Sequence, residues 1–297
     1  MAADKKIKEI DVFCSVSSRE IEEVISLLIP SLGTQIDVEK INLTLINYNG
    51  KGRIYNGKSK VGIVSIREIS KNKQLGFGEA HNFAFQTISP DNCFLITNPG
   101  YLYRTCVSEM LNALAKDNSV GIVEARQLPF EHPKEYDEKS GEAPWASGAC
   151  MMINSNFFKK SNGFDENFWM YCEDVDLSWR AWLSGYRVIY EPRAVFYHFT
   201  GAYFGYSQTR YYLEHFWSAR NFIYLSYKYF GEKGEERAIN LFKKTDFSNY
   251  FKKEVLNAWK NLRKRVNKFE NKVPISKLSS KIKIVGFNKY HENKEEL

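Results

Sequence analysis

The sequence predicts an α/β protein in which a mixed, mostly parallel sheet is flanked by helices. Short apolar runs that suit buried strands alternate with segments whose apolar residues recur every three or four positions, as in helices. Such alternation favours a mostly parallel sheet with helices on both faces, and these sheets bind ligands at the carboxyl ends of their strands. Strands are predicted over residues 9–16, 41–50, 61–68, 92–98 and 119–126.

The segments between these strands predict helices and one long loop. Apolar residues recur at helical spacing over 18–32, 79–88 and 106–116. Residues 129–144, PFEHPKEYDEKSGEAP, are polar, contain three prolines and show no period, so a mobile loop is predicted there. An aromatic-rich helix is predicted over 207–231.

Composition excludes several classes of protein. With 297 residues, of which 43% are hydrophobic, the chain suits one large domain or two smaller ones and is not disordered as a whole. Its five cysteines are scattered without a CxxC pair, so we expect a reduced compartment and no disulfide framework or cysteine zinc site. The N-terminus lacks the apolar core of a signal peptide, and no run of about 18 apolar residues predicts a membrane span.

Positive charge is concentrated at the C-terminal end. The net charge is +7, but residues 237–297 hold 16 lysines and arginines against 6 acidic residues, so the rest of the chain is slightly acidic. Residues 251–272 place apolar residues three and four positions apart among basic ones, which predicts a basic amphipathic helix. We therefore expect one domain over 1–235 and a basic helical tail over 236–297.

The basic tail has several candidate roles. It can be a solvated face, or it can bind an anionic membrane, where each Lys or Arg adds about 1 kcal/mol of attraction. Nucleic acid is disfavoured, because the rest of the chain is slightly acidic and no recognition motif is present. Packing in a homodimer stays open. The expected location is cytoplasmic, peripheral on the inner face of the cell membrane.

Three carboxylates crowd the segment MYCEDVDLSWR, residues 170–180. A helix is predicted from Glu173 to the glycine at 185, and its first turn holds Glu173, Asp174 and Asp176. One explanation is electrostatic, because acids favour the positive end of a helix and cap free N–H groups. The other is that one carboxylate serves a reaction, and the surrounding residues favour this second explanation.

Those residues resemble a known family. The run GFDENFWMYCEDVDLSWRAWLSGYRVIYEPRAVFYH, residues 163–198, is similar to the acceptor-side signature of inverting family 2 glycosyltransferases. WASGACMMI (145–153) is similar to the small-residue segment that precedes it, and LGFGEAHNFAF (75–85) resembles a donor-side segment. The resemblance implies a GT-A fold with a donor half over 1–125 and an acceptor half over 126–235.

The resemblance covers roughly residues 10–230 and implies one in-line displacement at the anomeric carbon of a sugar. Such a reaction needs a carboxylate to take a proton from the acceptor hydroxyl, and groups that offset charge on the departing diphosphate. By resemblance Asp174 is the general base with Glu173 beside it, whereas Asp176 and Arg180 form structural pairs. The resemblance assigns donor binding to Ser15, Asn47, Asn49, Gly76, Phe77, Asn82, Asn98 and Gly100, and acceptor binding to Trp145, Ser147, Gly148, Ala149, Trp169 and Tyr171.

The donor half departs from the family at two points. The early strand-end motif, which is usually acidic in the family, is here INYNG, with Asn47 and Asn49. Family members end the fourth strand in an aspartate-containing motif that holds a divalent cation, since hard cations prefer oxygen ligands. Here the chain reads Asn98-Pro99-Gly100, with glycine in place of the expected aspartate, so Asn98 and His198 are the implied ligands of Mg²⁺ or Mn²⁺. The cation can be held weakly, or the enzyme can be metal-independent. Alternatively, the chain is a degenerate homologue that binds a sugar nucleotide or glycan without turnover.

For the active alternative, the resemblance implies a rhamnosyltransferase-like enzyme. The donor is then a nucleotide diphosphate sugar of the dTDP-rhamnose or UDP-hexose class. The acceptor is a glycan or a lipid-diphosphate-linked glycan in the synthesis of a bacterial surface polysaccharide such as O-antigen. The intact Glu173-Asp174 pair with His198 favours this alternative, and Gly100 favours the non-catalytic one.

Overall fold

The computed structural model describes residues 9–50, 52–131, 134–199, 208–269, 275–278 and 280–283. Its strands are β1 (Glu9–Val16), β2 (Lys40–Asn47), β3 (Lys60–Val61), β4 (Val64–Ser70), β5 (Cys93–Thr97), β6 (Tyr101–Leu102), β7 (Val120–Leu128), β8 (Cys150–Asn154) and β9 (Arg187–Tyr197). They form one nine-stranded sheet in the order β3-β4-β2-β1-β5-β8-β7-β9-β6.

The sheet is mixed: four neighbouring strands run parallel, and an antiparallel strand separates them from a second parallel pair. β4, β2, β1 and β5 run parallel, and β7 runs parallel to β9. β8 is antiparallel to both β5 and β7, and the short β3 and β6 are antiparallel additions at the two edges. The carboxyl ends of β1, β2 and β5 therefore meet at one edge of the sheet. The prediction of a mixed sheet flanked by helices is confirmed.

Helices cover both faces of the sheet. They are α1 (Ile21–Glu23), continued by a π-helical turn (Val24–Leu28) and α2 (Ile29–Gly33), then α3 (Phe77–Ile88), α4 (Cys106–Ala115), α5 (Ser155–Lys160), α6 (Glu173–Leu183), α7 (Gln208–Lys243) and α8 (Asn249–Arg263). In β1, Val12 and Cys14 pack towards α2 and α4, whereas Phe13 packs towards α3, α5 and α6. This alternation follows from the two-residue period of a strand.

The last two long helices build a third apolar core beside α6. α8 buries Phe251, Val255, Trp259 and Leu262, so the predicted amphipathic helix is present, but it ends at Arg263 and not at residue 272. These side chains share one cluster with residues of α7 and with Trp179 of α6, so this chain itself covers the apolar face of α8. α7 spans the boundary predicted between 235 and 236 and breaks its helical geometry at residue 231, so the division into a domain and a tail stays a prediction.

The loop predicted to be mobile is anchored to β9 in its described part. Glu142 forms an isolated β-bridge with Ile189. The hydroxyl of Tyr190 donates to the carboxylate of Glu131 at 2.7 Å, and its ring lies 4.7 Å from that of Tyr136. The loop between β7 and β8 is therefore packed over one end of the sheet. Within the described ranges, no helix is long and apolar enough to cross a membrane.

Candidate active site

The carboxylate of Asp174 is held in a fixed position at the start of α6. The N–H of Gly148 donates to its Oδ2 at 2.9 Å, and the N–H of Val175 donates to its Oδ1 at 2.8 Å. Burial raises the pKa of Asp174, but these two N–H groups and the charge of Lys134 oppose that rise. The residue is half-buried, so its carboxylate is not sealed off from solvent. Asp174 is thus a partly exposed carboxylate that two backbone N–H groups hold in place.

Its neighbour Glu173 lies in a different environment. Glu173 is 4% exposed, and the described residues offer its Oε2 no hydrogen-bond partner. Burial, and next the charge of Asp174, raises the pKa of Glu173 well above its ordinary value. Two adjacent carboxylates in unlike environments take different protonation states. Burial therefore favours the protonated form more strongly at Glu173 than at Asp174, whose carboxylate accepts two backbone N–H groups.

A strained segment leads into α6. Trp169, Tyr171 and Cys172 all adopt left-handed backbone conformations, with φ of 64°, 69° and 68°. Asn221 of α7 supports this segment, because its Nδ2 donates to the carbonyl oxygens of Phe168 and Tyr171, both at 2.7 Å. Non-glycine residues hold such conformations only where surrounding contacts impose them. α7 thus positions two aromatic residues of the predicted acceptor site, a role that no sequence signal assigned to Asn221.

Asp176 takes part in a buried ionic network rather than in the site itself. Its carboxylate is fully buried and accepts from Nε of Arg180 at 2.9 Å, and Nη2 of the same arginine lies 2.8 Å away as an ion pair. Nζ of Lys228 lies 2.6 Å from the same carboxylate and 2.7 Å from that of Asp165. The predicted structural pairing of Asp176 with Arg180 is confirmed. Lys228 and Asp165 are additions that tie α7 to the start of α6.

Two glycines allow the predicted donor and acceptor segments to meet. A Cβ on Gly76 would clash with the carbonyl oxygen of Trp169, and the next N–H, that of Phe77, donates to this oxygen at 2.7 Å. A Cβ on Gly148 would lie 3.0 Å from the ring of Phe77. The structure therefore brings Gly76, Phe77, Gly148 and Trp169 into contact around Asp174.

Other predicted donor-binding residues lie near the carboxyl ends of the strands or in α3. The side-chain amides among them form hydrogen bonds with other residues of the protein. Asn47 is buried; its Nδ2 donates to the carbonyl of Gly52 at 2.8 Å, and its Oδ1 accepts from the N–H of Asn49 at 3.2 Å. The amide of Asn82 pairs with both the N–H and the carbonyl of Phe164, at 2.8 and 3.0 Å. Ser15 is half-buried near the end of β1. Donor binding by these residues stays a prediction.

The residues predicted to hold a metal lie together but form a poor cation site. Nδ2 of Asn98 lies 3.4 Å from Nε2 of His198, and the N–H of Asn98 donates to the carbonyl of Ala149 at 2.8 Å. Neither an amide nor an imidazole supplies a carboxylate oxygen, on which Mg²⁺ and Mn²⁺ sites in proteins rely. Among the described residues, no group of three or more His, Cys, Asp or Glu could hold a metal ion. The residues present therefore do not fit a divalent cation.

Packing explains why an aspartate is absent at position 100. A Cβ on Gly100 would lie 2.5 Å from the carbonyl oxygen of Tyr197 and 2.7 Å from the ring of Phe196. Both residues belong to β9, which pairs with β6 directly after Gly100. The close approach of β9 thus leaves no space for a side chain at this position.

We expect the substitution Gly100→Asp to destabilise the protein without creating a cation site. The new side chain must displace β9, and overpacking of this kind costs about 1–3 kcal/mol. Urea unfolding measures this cost. Gly33→Asp is the matched control, because a Cβ at Gly33 meets nothing within 4 Å. Stronger Mn²⁺ binding by the Gly100→Asp variant, without loss of stability, would contradict the packing argument.

The remaining predicted acceptor residues belong to the end of the β7–β8 loop, just before β8. Trp145 is half-buried, and Nζ of Lys134 lies 3.9 Å from the centre of its ring. The Oγ of Ser147, which is buried, accepts from the N–H of Ala149 at 3.3 Å. The turn 147–149 therefore joins the acceptor side to Asp174. Sequence reasoning missed Lys134, since its polar loop has no periodicity that would place it in the structure.

No protein-family model matches the chain. Curated relatives match over short regions. The rhamnosyltransferase WbbL of Escherichia coli K12 is 40% identical over 60 residues, which are 20% of this chain and 23% of WbbL. The N-acetylglucosaminyl-diphospho-decaprenol L-rhamnosyltransferase of Mycobacterium tuberculosis is 42% identical over 50 residues, 17% of this chain and 16% of that protein. The matches thus span less than a quarter of either relative.

Solved structures match over most of the chain at low sequence identity. The mannosyltransferase PcManGT of Pyrobaculum calidifontis, in complex with GDP-Man and Mn²⁺, aligns with a TM-score of 0.53 and 13% identity, over 87% of this chain and 70% of that one. GalNAc-T7 with UDP, GalNAc and Mn²⁺ aligns with a TM-score of 0.56 and 11% identity, over 95% and 59%. Residues 1–349 of Staphylococcus aureus TarS in complex with UDP-GlcNAc give 0.51 and 12%, over 86% and 72%.

These likenesses define the fold as that of the GT-A glycosyltransferases. Together with the two local matches, they confirm the resemblance to family 2 glycosyltransferases of the rhamnosyltransferase type.

Proposed function

We propose that the protein is an inverting glycosyltransferase that moves a sugar from a nucleotide diphosphate sugar to a hydroxyl of a glycan or lipid-linked glycan. The observation that carries the proposal is the geometry of Asp174, a half-buried carboxylate fixed by the N–H groups of Gly148 and Val175. This position lies beside the residues predicted to bind donor and acceptor. The similarity to rhamnosyltransferases supports a donor of the dTDP-rhamnose class, with UDP-hexoses as the second candidate.

In the proposed reaction, Asp174 takes the proton of the acceptor hydroxyl while the hydroxyl oxygen attacks the anomeric carbon. The bond between that carbon and the diphosphate oxygen breaks on the opposite face, which inverts the configuration. The nucleoside diphosphate leaves with the bonding electron pair, and His198 at the end of β9 is the residue we assign to its negative charge. Because the described residues do not fit a divalent cation, no step is assigned to a metal.

A panel of nucleotide sugars tests this function. Purified protein is incubated with dTDP-rhamnose and with UDP-hexoses, together with a short or lipid-linked glycan, in Mg²⁺, Mn²⁺ or EDTA, and the release of nucleoside diphosphate is measured. We expect acceptor-dependent release from one donor and a product of inverted anomeric configuration. Activity that survives EDTA would agree with a site in which Asn98 and His198 stand without a carboxylate ligand.

The second candidate is a homologue that binds a sugar nucleotide or glycan without turnover. The segment Asn98-Pro99-Gly100, which has no carboxylate and no space for one, favours it. Thermal stabilisation by one nucleotide sugar without release of nucleoside diphosphate would support this candidate and contradict the transferase.

We also propose that the exposed lysines of the C-terminal helices bind an anionic membrane, from which a lipid-linked acceptor would be reached. Lys253, Lys260 and Lys264 are exposed, while the apolar side of α8 is buried against this chain. The attraction is therefore electrostatic rather than insertion of an apolar face. Salt-sensitive co-sedimentation with phosphatidylglycerol vesicles, without binding to DNA, would support it. A dimer in solution would favour the alternative that these helices pack on a second copy.

A further inference from the structure

The β7–β8 loop places one lysine in a buried position. The side chain of Lys134 is 5% exposed and forms an ion pair with Glu124 of β7, whose side chain is 2% exposed. Nζ of Lys134 also lies 3.9 Å from the centre of the Trp145 ring. Burying two charges requires good geometry and further hydrogen bonds, since their desolvation is costly. A loop that only closed a connection between strands would not need such a pair.

One short segment connects this ion pair to Asp174. The ring of Trp145 packs against Nζ of Lys134, and three residues later the N–H of Gly148 donates to Asp174 at 2.9 Å. Burial raises the pKa of Glu124 and of Asp174 and lowers the pKa of Lys134. The charge of Lys134 opposes the rise at both carboxylates, and the charges of Glu124 and Asp174 oppose the fall at Lys134. The three side chains form one electrostatic unit.

The other charged groups around Asp174 do not replace this lysine. On α6 itself, Glu173 and Asp176 are acidic, and the thiol of Cys172 precedes them. Asp176 is neutralised within its own network by Arg180 and Lys228. Glu124 on β7 adds negative charge. Lys134, from the loop, brings the positive charge that favours the ionised form of Asp174.

We propose that Lys134 and Glu124 are positioning residues for the reaction: Lys134 holds Asp174 in its ionised form, and Glu124 limits how much of the lysine's charge Asp174 experiences. This inference rests on the proposed role of Asp174 as general base. The β7–β8 loop then contributes to catalysis, because it carries the lysine whose charge favours the ionised form of Asp174.

The pH dependence of kcat/KM tests the proposal with opposite signs for the two residues. In Lys134→Met the loss of a neighbouring cation raises the pKa of Asp174, so the acidic limb of the profile moves to higher pH by about half a unit or more. In Glu124→Gln the lysine's charge is no longer balanced, so the limb moves to lower pH. Lys134→Arg keeps the charge and stays near the wild type. Lys139→Met, which removes an exposed lysine of the same loop, is the matched control.

A purely structural ion pair would give a different result. Both Lys134→Met and Glu124→Gln would then lower kcat/KM equally at every pH without moving the limb, and this outcome would overturn the proposal. Circular dichroism checks that each variant is folded. If Lys134→Met does not fold, Glu124→Gln carries the test, because its downward shift arises with the lysine still present.

A second measurement separates this inference from the proposed function. NMR titration of protein labelled with ¹³C at its aspartate carboxyls reports the protonation of Asp174 directly, with Asp174→Asn assigning the signal. If the pKa of Asp174 shifts in opposite directions in the two variants while Asp174→Asn is fully active, the coupling to Lys134 and Glu124 is supported. The role of Asp174 as general base is then refuted. If the pKa of Asp174 is the same in both variants while Asp174→Asn is inactive, the role of Asp174 as general base is supported. The positioning role of Lys134 and Glu124 is then refuted.

Discussion

Replacing Asp174 by asparagine is expected to lower the rate of sugar transfer by about 10²–10⁴-fold, the usual contribution of a general base. Asparagine has nearly the same shape, and its side-chain oxygen can still accept the N–H of Gly148, so the fold should survive. The substitution removes the ability to take a proton, together with the negative charge and the hydrogen bond from the N–H of Val175. Initial rates of nucleoside diphosphate release, measured with saturating acceptor, check this expectation.

Two further variants show whether the effect belongs to Asp174. Glu173→Gln should cause a smaller loss, because burial favours the protonated form of Glu173, which glutamine resembles. Asp91→Asn changes an exposed aspartate just before the amino end of β5 and should leave the rate unaltered. A larger loss in Glu173→Gln than in Asp174→Asn would reverse the roles of the two carboxylates.

Replacing Lys228 by methionine is expected to destabilise the protein by about 3–5 kcal/mol, because it leaves two carboxylates without their shared buried cation. Lys228 lies 2.6 Å from Asp176 and 2.7 Å from Asp165, and its side chain is 8% exposed. Burial opposes ionisation of Asp165, but Lys228 and Tyr224 hold its pKa at about 2. Urea unfolding at neutral pH measures the loss.

An exposed ion pair in the same region provides the control. Lys268 lies 2.6 Å from Glu232, but the two side chains are 49% and 68% exposed. Lys268→Met should therefore cost at most about 1 kcal/mol. Equal losses for the two lysines would mean that the network around Asp176 does not stabilise the start of α6.

The pH dependence of the Lys228→Met variant follows from the same network. Because the pKa of Asp165 is lowered in the folded protein, its stabilising contribution is present above the ordinary aspartate range and is lost as the pH falls towards 2. The variant should lose this contribution. Its stability should therefore fall less steeply than that of the wild type as the pH is lowered through the ordinary aspartate range.

Much of the fold follows from short-range patterns. The alternation of apolar runs and helical periods predicted the sheet and its covering helices, because buried strands and amphipathic helices impose different periods on the sequence. The helix that begins at Glu173 and the pairing of Asp176 with Arg180 could be predicted for the same reason, since residues four apart meet on a helix. The amphipathic pattern of α8 also predicted a helix correctly.

The remaining features of the fold and of the candidate site depend on contacts between residues far apart in the chain. The sequence by itself determined that α8 has an apolar face and that residues 129–144 lack regular structure. Only the tertiary structure decided that α7 covers that face, and that the loop between β7 and β8 places Lys134 against Glu124. Asn221 supports a segment 53 residues earlier, and Gly100 is limited by a strand that follows about 100 residues later. Such contacts depend on how elements pack after they form, and a local period does not record which surfaces will meet.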